Sequence, residues 1–430
     1  MPAAQRVGAA TPTRVRHKVL VMTILLSSIT YLDRVCISIT ATDMRRELGL
    51  SILQMSYVFS AFTLAYGAFE IPTGWWGDRK GTRRVLTRIV TWWSFFTVLT
   101  GAAFSYVQLL ATRFLFGVGE AGAWPNVAIT FAKWFPKKDR GTAQGFFFMG
   151  AHAAAGLTPL LVSAMLLYFH WRTLFFIFGS IGFMWAVFWY WWFRDTPREH
   201  PAVNAAEREY IEAGVHGGGE THDFGRTPWR QLLANRSILC LMGMYFTQTY
   251  GFYMFITWMP TYFRDARGFQ AVTLGLMAGL PMTLSAVADL LGGVTTDALT
   301  TRFGFHNGRR AVGFVSLLLA GSFMIVGTFV ANPYLAVVLM AIGAAFSNFL
   351  LAAAWGSCID IGGHHSGVVG ATMNTSGQLG GFLSPIVAGT ILTYFNNNWD
   401  APLYITGTLY LFGALCWLGV DPNKRLADWD

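Results

Sequence analysis

Twelve apolar runs, each long enough to cross a bilayer as a helix of about 18 residues or more, constrain this chain more than any other feature. A soluble domain carries roughly 25% charged residues, whereas this chain of 430 residues carries 12%. The sequence therefore predicts an all-α integral membrane protein with twelve transmembrane helices. These runs, numbered here as spans 1 to 12, lie near 19–41, 54–76, 85–105, 107–132, 141–168, 172–193, 237–262, 271–296, 311–330, 333–356, 367–393 and 402–420.

The distribution of basic residues predicts the orientation of the spans. Of the 31 Lys and Arg, 24 lie in the two tails and the even-to-odd loops, five lie in the opposite loops, and two lie within spans. The positive-inside rule then places both termini in the cytoplasm. The net charge of +9 reflects this topology and contact with anionic lipid, and no nucleic-acid partner is expected. The short loops favour a bacterial inner membrane.

The sequence shows no arrangement typical of an enzyme. Its four cysteines, Cys36, Cys240, Cys358 and Cys416, are scattered without metal-ligand or disulfide spacing. No nucleophile–base pair, metal cluster or phosphate-binding loop is recognisable. We therefore expect neither catalytic activity nor a cofactor or bound metal.

An internal repeat divides the chain into two halves. The separation between Gly74 and Gly293 equals that between Asp78 and Asp297, within two copies of a Gly-x-x-x-Asp motif. The loop that begins at Lys137 is echoed by the one that begins at His364. Duplicated halves predict two pseudo-symmetric six-helix bundles. The expected units are a disordered tail 1–17, bundles 18–193 and 237–420, a linker 194–236 with a short surface helix from Asn204 to Glu212, and a tail 421–430.

Seven ionisable side chains fall inside the spans or near their edges. Charges in a bilayer are costly and usually functional, facing a bundle interior or a wet cavity. A carrier of an organic anion needs an arginine for a carboxylate, and a carboxyl group whose protonation responds to that arginine. Arg34 and Arg113 can supply the first, and Asp33 and Glu120 can supply the second. The full set is Asp33, Arg34, Glu70, Arg113, Glu120, His152 and Asp289.

A simpler interpretation exists for part of this set. Arg113 and Glu120 are two helical turns apart in sequence, so on one continuous helix they share a face roughly 10 Å apart. They could then form a permanent ion pair within the helix. Gly117, Gly119 and Gly122 on the same segment would let a neighbouring helix approach closely.

Two motifs resemble signatures of the major facilitator superfamily. They are Gly-x-x-x-Asp-Arg-x-Gly-x-Arg-Arg after span 2 and Arg-x-x-x-Gly-x-Gly in span 4. The resemblance implies alternating access by rocking halves, with a gate network at their cytoplasmic ends. That network would contain Gly74, Asp78, Arg79, Arg83, Gly293, Asp297 and Arg302.

Other stretches are similar to the anion:cation symporter branch of that superfamily. These are Tyr31-Leu-Asp33-Arg34, Arg113 with Glu120, Trp258-Met-Pro260-Thr-Tyr262, and Asp360-Ile-Gly-Gly followed by Asn374. The resemblance implies proton-coupled symport of a small organic anion such as a hexuronate, aldonate or aldarate. Asp33 and Glu120 would be the proton sites, Arg34 would bind the substrate carboxylate, and Arg113 would pair with a carboxylate. We expect protons, the anion and lipid as partners of a monomer.

A sugar acid would also need hydrogen-bonding partners for its hydroxyl groups. Tyr66 and Asn374 match polar binding positions of the similar symporters. Gln248 and Tyr250 are supported only by their polarity within span 7, and packing roles are equally compatible with them. The complete set of substrate candidates is Arg34, Arg113, Tyr31, Tyr66, His152, Gln248, Tyr250, Trp355 and Asn374.

Three residues depart from the branch pattern. Glu70 could join a gate network with Arg79 or Arg83, or serve as a third proton site. His152 could make a satisfied polar contact or contact the substrate. Asp289 is expected to support the cytoplasmic gate.

Two alternatives to sugar-acid symport stay open. The same machinery could carry another carboxylate, such as an aromatic acid or a dicarboxylate. A membrane sensor that binds without transporting would need an output domain, which the short tails do not provide.

Overall fold

The structure is a computed structural model that describes residues 11–213, 232, 234–362, 366–395 and 397–421. All regular secondary structure of these residues is helical. Outside the described residues lie the tails 1–10 and 422–430 and most of the central linker. His364 and His365 also lie outside them, so the predicted echo of the loop after span 4 cannot be described. The same holds for ten side chains: Ile71, Gly74, Trp75, Asp78, Lys137, Lys138, Gly141, Ala213, Ser366 and Gly367.

All twelve predicted spans are helical in the structure. Spans 4, 7 and 10 are each split into two consecutive helices, and spans 8 and 9 share one helical segment. In the first half the helices are Val15–Leu48 (span 1), Ile52–Lys80 (2), Thr82–Gly101 (3), Tyr106–Glu120 and Ala123–Trp134 (4), Lys137–Met165 (5) and Trp171–Trp192 (6). In the second half they are Arg236–Thr257 and Met259–Asp265 (7), Ala271–Phe329 (8 and 9), Pro333–Phe349 and Leu351–Gly362 (10), Ser366–Tyr394 (11) and Asp400–Trp417 (12).

Six helical stretches of the described residues are long and apolar enough to cross a membrane by length and composition. The helices of the other spans are shorter, interrupted or more polar than these six stretches. Helical residues fill the stretch between spans 8 and 9 except at Gly304. Gly304 has a φ of 80° and a ψ of 163°, a backbone conformation essentially restricted to glycine. The chain therefore turns from span 8 into span 9 at a single residue.

The two halves repeat the same helix contacts. Span 1 packs on span 5 and span 3 on span 6, and the equivalent spans 7 and 11, and 9 and 12, pack in the same way. Between the halves, span 2 packs on span 11 and span 5 on span 8. These contacts confirm the predicted architecture of two pseudo-symmetric six-helix bundles. The boundaries of the bundles stay predictions.

Small residues allow spans 5 and 8 to approach closely. A Cβ atom added at Gly279 would collide with the backbone carbonyl oxygen of Gly156, and one added at Gly156 would meet the backbone of Thr283. Glycine at such positions lets two membrane helices pack backbone to backbone. This contact fixes one side of the boundary between the halves.

The buried apolar clusters show which end of the molecule is closed. At the predicted outer end, a single cluster joins Ile37 and Phe59 of the first half to Trp258 and Met282 of the second. Arg264 Nη2 also lies 3.2 Å from Asp43 Oδ1 across this end. Towards the predicted inner end, the clusters of the described residues separate into one for each half, except that Phe252 and Tyr253 of the second half pack with the first. The described residues thus form an arrangement that is closed at the predicted outer end.

The predicted surface helix of the linker is present as Ala205–Ala213. Its Glu207 is fully buried and accepts hydrogen bonds from the Thr13 hydroxyl at 2.6 Å and the Val15 amide at 3.1 Å. A carboxylate at a helix N-terminus stabilises the unpaired amides there. The linker helix is therefore anchored to the start of span 1.

We predict that Gly279→Ala lowers stability, whereas Gly145→Ala does not. The added methyl group at Gly279 meets the backbone of span 5, and overpacking of this kind costs roughly 1–3 kcal/mol. Gly145 has open space around a Cβ atom, so alanine there gains helix propensity of up to about 1 kcal/mol. Thermal unfolding of both purified variants in detergent measures the difference, and equal melting temperatures would contradict the proposed close contact.

Candidate functional site

The centre of the molecule holds a buried ion pair between spans 1 and 4. Arg34 Nε donates a hydrogen bond to Glu120 Oε1, and the two side chains are 9% and 0% exposed. Glu120 is the last residue of its helix, which stops before Ala121 and resumes at Ala123. The alternative interpretation, an ion pair of Glu120 with Arg113, does not occur among the described ion pairs, because the Glu120 carboxylate contacts Arg34 of span 1.

Aromatic rings surround the guanidinium group of Arg34. Its Cζ atom lies 5.3 Å from the ring centre of Tyr31, 5.1 Å from Phe62, 4.8 Å from Tyr66 and 5.9 Å from Trp124. A cation over aromatic faces within about 6 Å is attracted by the ring quadrupoles, and more strongly when water is excluded. The rings therefore help to keep a charged arginine in the interior.

Asp33 and Arg113 lie buried in the same region. Asp33 is 1% and Arg113 is 2% exposed, and the two are close enough to interact electrostatically, with Thr97 also beside the Asp33 carboxyl group. Arg113 Nε and Nη1 have no hydrogen-bond partner among the described residues. Buried charged groups normally have partners, so these two nitrogens are available to a ligand. A small cavity of about 20 Å³ lies beside Arg34 and Arg113, and it is lined by Arg34, Ile37, Ser38, Phe59, Phe62, Arg113, Tyr253, Ile256 and Thr257.

Two polar contacts join the halves. His152 Nδ1 of span 5 lies 2.7 Å from Asp289 Oδ2 of span 8. Asn374 Nδ2 of span 11 donates to Glu70 Oε2 of span 2 at 2.9 Å. Asp289 of the second half thus contacts His152 of the first half. Glu70 has Asn374 as its hydrogen-bond partner, where the sequence suggested Arg79 or Arg83.

The remaining substrate candidates differ in their surroundings. Gln248 Nε2 donates to Asn348 Oδ1 at 3.4 Å inside the second half, which is a packing contact. The Tyr250 hydroxyl is buried without a hydrogen-bond partner among the described residues. Trp355 is 42% exposed and packs edge-on against Tyr245, with ring centres 6.1 Å apart.

The expected gate residues of the first half contact the end of span 6. Arg83 Nε and Nη2 donate to the Tyr190 carbonyl oxygen at 2.8 and 2.6 Å. The Arg83 amide also donates to Asp195 Oδ1 at 2.8 Å, so Asp195 caps span 3. Gly81 has a φ of 83°, which glycine adopts without strain. The side chain of Asp78 lies outside the described residues.

In the second half, the expected gate residues have few mutual contacts that can be described. The backbone carbonyl oxygen of Asp297 accepts bonds from the hydroxyls of Thr300 and Thr301, which are ordinary contacts within a helix. Arg302 lies over the ring of Phe303 at 5.2 Å. The main charged contact at this end is Arg309 Nη1 with Asp360 Oδ2 at 2.6 Å, between spans 9 and 10.

Comparison with known proteins identifies the family of this fold and site. The family described as Major Facilitator Superfamily matches residues 23–384 and 277–428. The chain belongs to the major facilitator superfamily. Its members are multi-pass membrane transporters and not enzymes, so this chain is a membrane transporter.

Several curated relatives align along nearly the whole chain. A probable sulfoacetate transporter of Cupriavidus necator is 35% identical, over 95% of this chain and 94% of the relative. A probable galactarate/D-glucarate transporter of Bacillus subtilis is 33% identical, over 97% and 94%. One from Escherichia coli K12 is 30% identical, over 94% of each. These relatives support transport of an anion by this superfamily member.

Solved structures agree on the fold of this transporter. An inward-facing, unoccupied bacterial homologue of the human lysosomal transporter Spinster has a TM-score of 0.77 at 19% identity, covering 96% of this chain and 98% of that one. A D-xylose–proton symporter has a TM-score of 0.74 at 15% identity, covering 95% and 98%. At these identities the likeness shows the fold alone.

Sequence reasoning missed three neighbours of Arg34 and the cavity. Phe62 lies one helical turn before Tyr66, so the i, i+4 spacing could have placed both rings on one face. Trp124 lies five residues after Gly119, which ends the motif of span 4. Tyr253 belongs to the second half, and no signal in the sequence connects it to Arg34.

We predict that Arg34→Gln destabilises this transporter more than the double change Arg34→Gln/Glu120→Gln. Removing one member of a buried ion pair leaves an uncompensated charge, which typically costs about 3–5 kcal/mol. Neutralising Glu120 as well removes that charge. The test is a double-mutant cycle, which compares the melting temperatures of the wild type, both single variants and the double variant. Additive losses would show that the two side chains do not interact.

Proposed function

We propose that this chain is a proton-coupled symporter of a small organic anion, most simply a sugar acid. The observation that carries the proposal is the buried Arg34–Glu120 ion pair beside a cavity. Arginine offers a planar fork of donors that matches a carboxylate. A substrate carboxylate that enters the cavity therefore competes with Glu120 for the same guanidinium group.

This competition links substrate binding to protonation. A fully buried carboxylate that loses its arginine is costly while charged, and taking up a proton removes the charge. Glu120 is then neutral when Arg34 holds the substrate, and it is charged and paired when the site is empty. One proton is thereby carried with each substrate.

Asp33 is the second proposed proton site. It is buried and lies close enough to Arg113 and Glu120 to interact electrostatically with them. In this scheme Arg113 balances the charge of the two carboxyl groups. The role is supported by position and burial and corresponds to the one that the motif resemblance implies.

Sugar acids fit the polar side chains beside Arg34. Tyr31, Tyr66 and Asn374 offer phenol and amide groups for hydroxyls, and two of the relatives are described as galactarate/D-glucarate transporters. The four aromatic neighbours of Arg34 also suit the apolar faces of a sugar chain. We therefore place the sugar carboxylate on Arg34 and its hydroxyls towards these groups.

A sulfonated carboxylate such as sulfoacetate is a second candidate substrate. One observation favours it in particular: the relative that is 35% identical is described as a probable sulfoacetate transporter. Arg113 also lines the cavity with two nitrogens that are unpaired among the described residues, so a second acidic group could reach it. The two candidates differ in the number of acidic groups and in hydroxyls.

The transport cycle would alternate between this arrangement, which is closed at the predicted outer end, and an outward-facing one. Opening the outer end requires the Asp43–Arg264 contact to separate. We place the transporter in a bacterial inner membrane as a monomer with both termini in the cytoplasm. Residues 18–193 and 237–420 would rock as the two bundles around the site, with gate networks at Asp78 and Asp297.

Uptake of labelled substrates into proteoliposomes tests the proposed function. We expect the purified protein to accumulate galactarate, galactonate or a hexuronate only when the exterior is more acidic than the interior. Protein-free liposomes and liposomes with a proton ionophore are the controls. Equal accumulation with and without the pH gradient would refute proton coupling, and uptake of sulfoacetate alone would select the second candidate.

Neutralising either proton site should separate accumulation from exchange. We predict that Asp33→Asn and Glu120→Gln abolish accumulation driven by a pH gradient while counterflow exchange between two substrate pools persists, because exchange requires no net proton release. Glu209→Gln, at an exposed position of the linker helix, serves as the control variant. Normal accumulation in both site variants would contradict this scheme.

A further inference from the structure

Glu70 and Asp289 occupy equivalent positions in the two halves. Their separation along the chain is the same as that of Gly74 and Gly293 in the repeated motif. Each carboxylate lies about one helical turn before its motif glycine. The repeat therefore places one acidic side chain at the same point of span 2 and of span 8.

Both carboxylates reach the opposite half. Glu70 binds Asn374 of span 11 at 2.9 Å, and Asp289 contacts His152 of span 5 at 2.7 Å. The pseudo-symmetry that relates span 2 to span 8 also relates span 11 to span 5. The two contacts are thus two versions of one arrangement, with an amide in one and an imidazole in the other.

Helix packing alone is a poor explanation for these carboxylates. Polar contacts between membrane helices stabilise only modestly, while ionisable side chains within spans are costly and mark functional paths. Asp289 Oδ1 is buried without a hydrogen-bond partner among the described residues, and His152 is only 7% exposed. Small residues already hold spans 5 and 8 together at Gly156 and Gly279. A role in ligand binding is the better interpretation.

Both contacts lie near Arg34. The imidazole centre of His152 lies 6.1 Å from that of the Tyr31 ring, and the Tyr31 ring centre lies 5.3 Å from Arg34 Cζ. Glu70 is one turn along span 2 from Tyr66, whose ring centre lies 4.8 Å from the same atom, and Glu70 is close enough to Arg34 to interact with it electrostatically. A carboxylate bound to Arg34 would place the rest of its molecule near one or both contacts.

We propose that Glu70 and Asp289 are paired positioning residues, one in each half, which hold Asn374 and His152 to recognise substrate hydroxyl groups. The inference rests on the proposed function and identifies the side chains that bind the hydroxyl groups of the substrate. Because the Asn374 amide nitrogen donates to Glu70, its carbonyl oxygen faces away from the carboxylate. The short Nδ1 contact with Asp289 likewise leaves His152 Nε2 as an acceptor while the ring is neutral. Both groups can then accept hydrogen bonds from hydroxyls.

The same arrangement makes hydroxyl recognition depend on how the halves are aligned. Each acceptor belongs to one half and its positioning carboxylate to the other. A shift of the halves that breaks either contact frees the acceptor side chain to rotate. The substrate would therefore lose hydroxyl contacts at the same time as the halves move.

The test compares two ligands that differ only in hydroxyl groups. Galactarate and adipate are both six-carbon dicarboxylates, and only galactarate carries hydroxyls. In proteoliposomes, Glu70→Gln and Asp289→Asn should each raise the KM for galactarate about 10-fold, the loss expected for one good hydrogen bond. The Vmax for galactarate and the inhibition constant of adipate should stay within about twofold of the wild type.

A double variant tests whether Asp289 acts through its partner. Asp289→Asn/His152→Asn should be no worse for galactarate than His152→Asn alone, since the positioning residue has nothing left to hold. If a carboxylate variant does not yield folded protein, His152→Asn and Asn374→Ala can be compared instead by the KM for galactarate and the inhibition constant of adipate. Glu209→Gln is again the unaffected control.

Three results would overturn the inference. They are equal losses for galactarate and adipate, a lower Vmax at unchanged KM, and additive losses in the Asp289/His152 double variant. Failure of the wild type to transport any sugar acid would overturn the proposed function, and this inference with it. Normal wild-type uptake with unchanged hydroxyl discrimination in the variants would defeat the inference alone.

Discussion

The ion pair between Arg34 and Glu120 is the interaction on which the rest of this site depends. Moving two charges out of water costs several kcal/mol per ion, and only good geometry and further contacts repay it. Here the further contacts are four aromatic rings from spans 1, 2 and 4 around the guanidinium group. The break of span 4 after Glu120 lets the carboxylate meet span 1. A buried pair of this kind is stable but can be opened by a competing anion.

The packing of the halves determines where such a competitor can enter. Apolar side chains of both halves merge at the predicted outer end, while towards the predicted inner end most buried apolar side chains pack within their own half. Glycine contacts between spans 5 and 8 set the distance between the halves along one side. The cavity at Arg34 and Arg113 is therefore sealed on one side of the membrane, as alternating access requires of a site between two bundles.

Sequence patterns located the important residues better than their partners. The cost of burying charges singled out Asp33, Arg34, Arg113 and Glu120, and all four lie together. Helix periodicity extended through Glu120 offered Arg113 as one alternative partner, but the helix ends at Glu120 and the carboxylate contacts Arg34 instead. Glu70 was assigned most readily to gate arginines that are near in sequence, whereas its hydrogen-bond partner, Asn374, belongs to the other half of the chain. Partners across a helix boundary depend on packing that no local pattern encodes.

By itself the sequence determined the membrane-spanning helices, the two related halves and the charged residues of the interior, since these follow from hydropathy, repetition and the cost of buried charge. The tertiary structure alone decided that Glu120 pairs with Arg34, that Asp289 meets His152, and that the outer end is closed. The reason is that each of these contacts joins helices distant in the chain. Their geometry depends on how six-helix bundles pack and on where a helix stops.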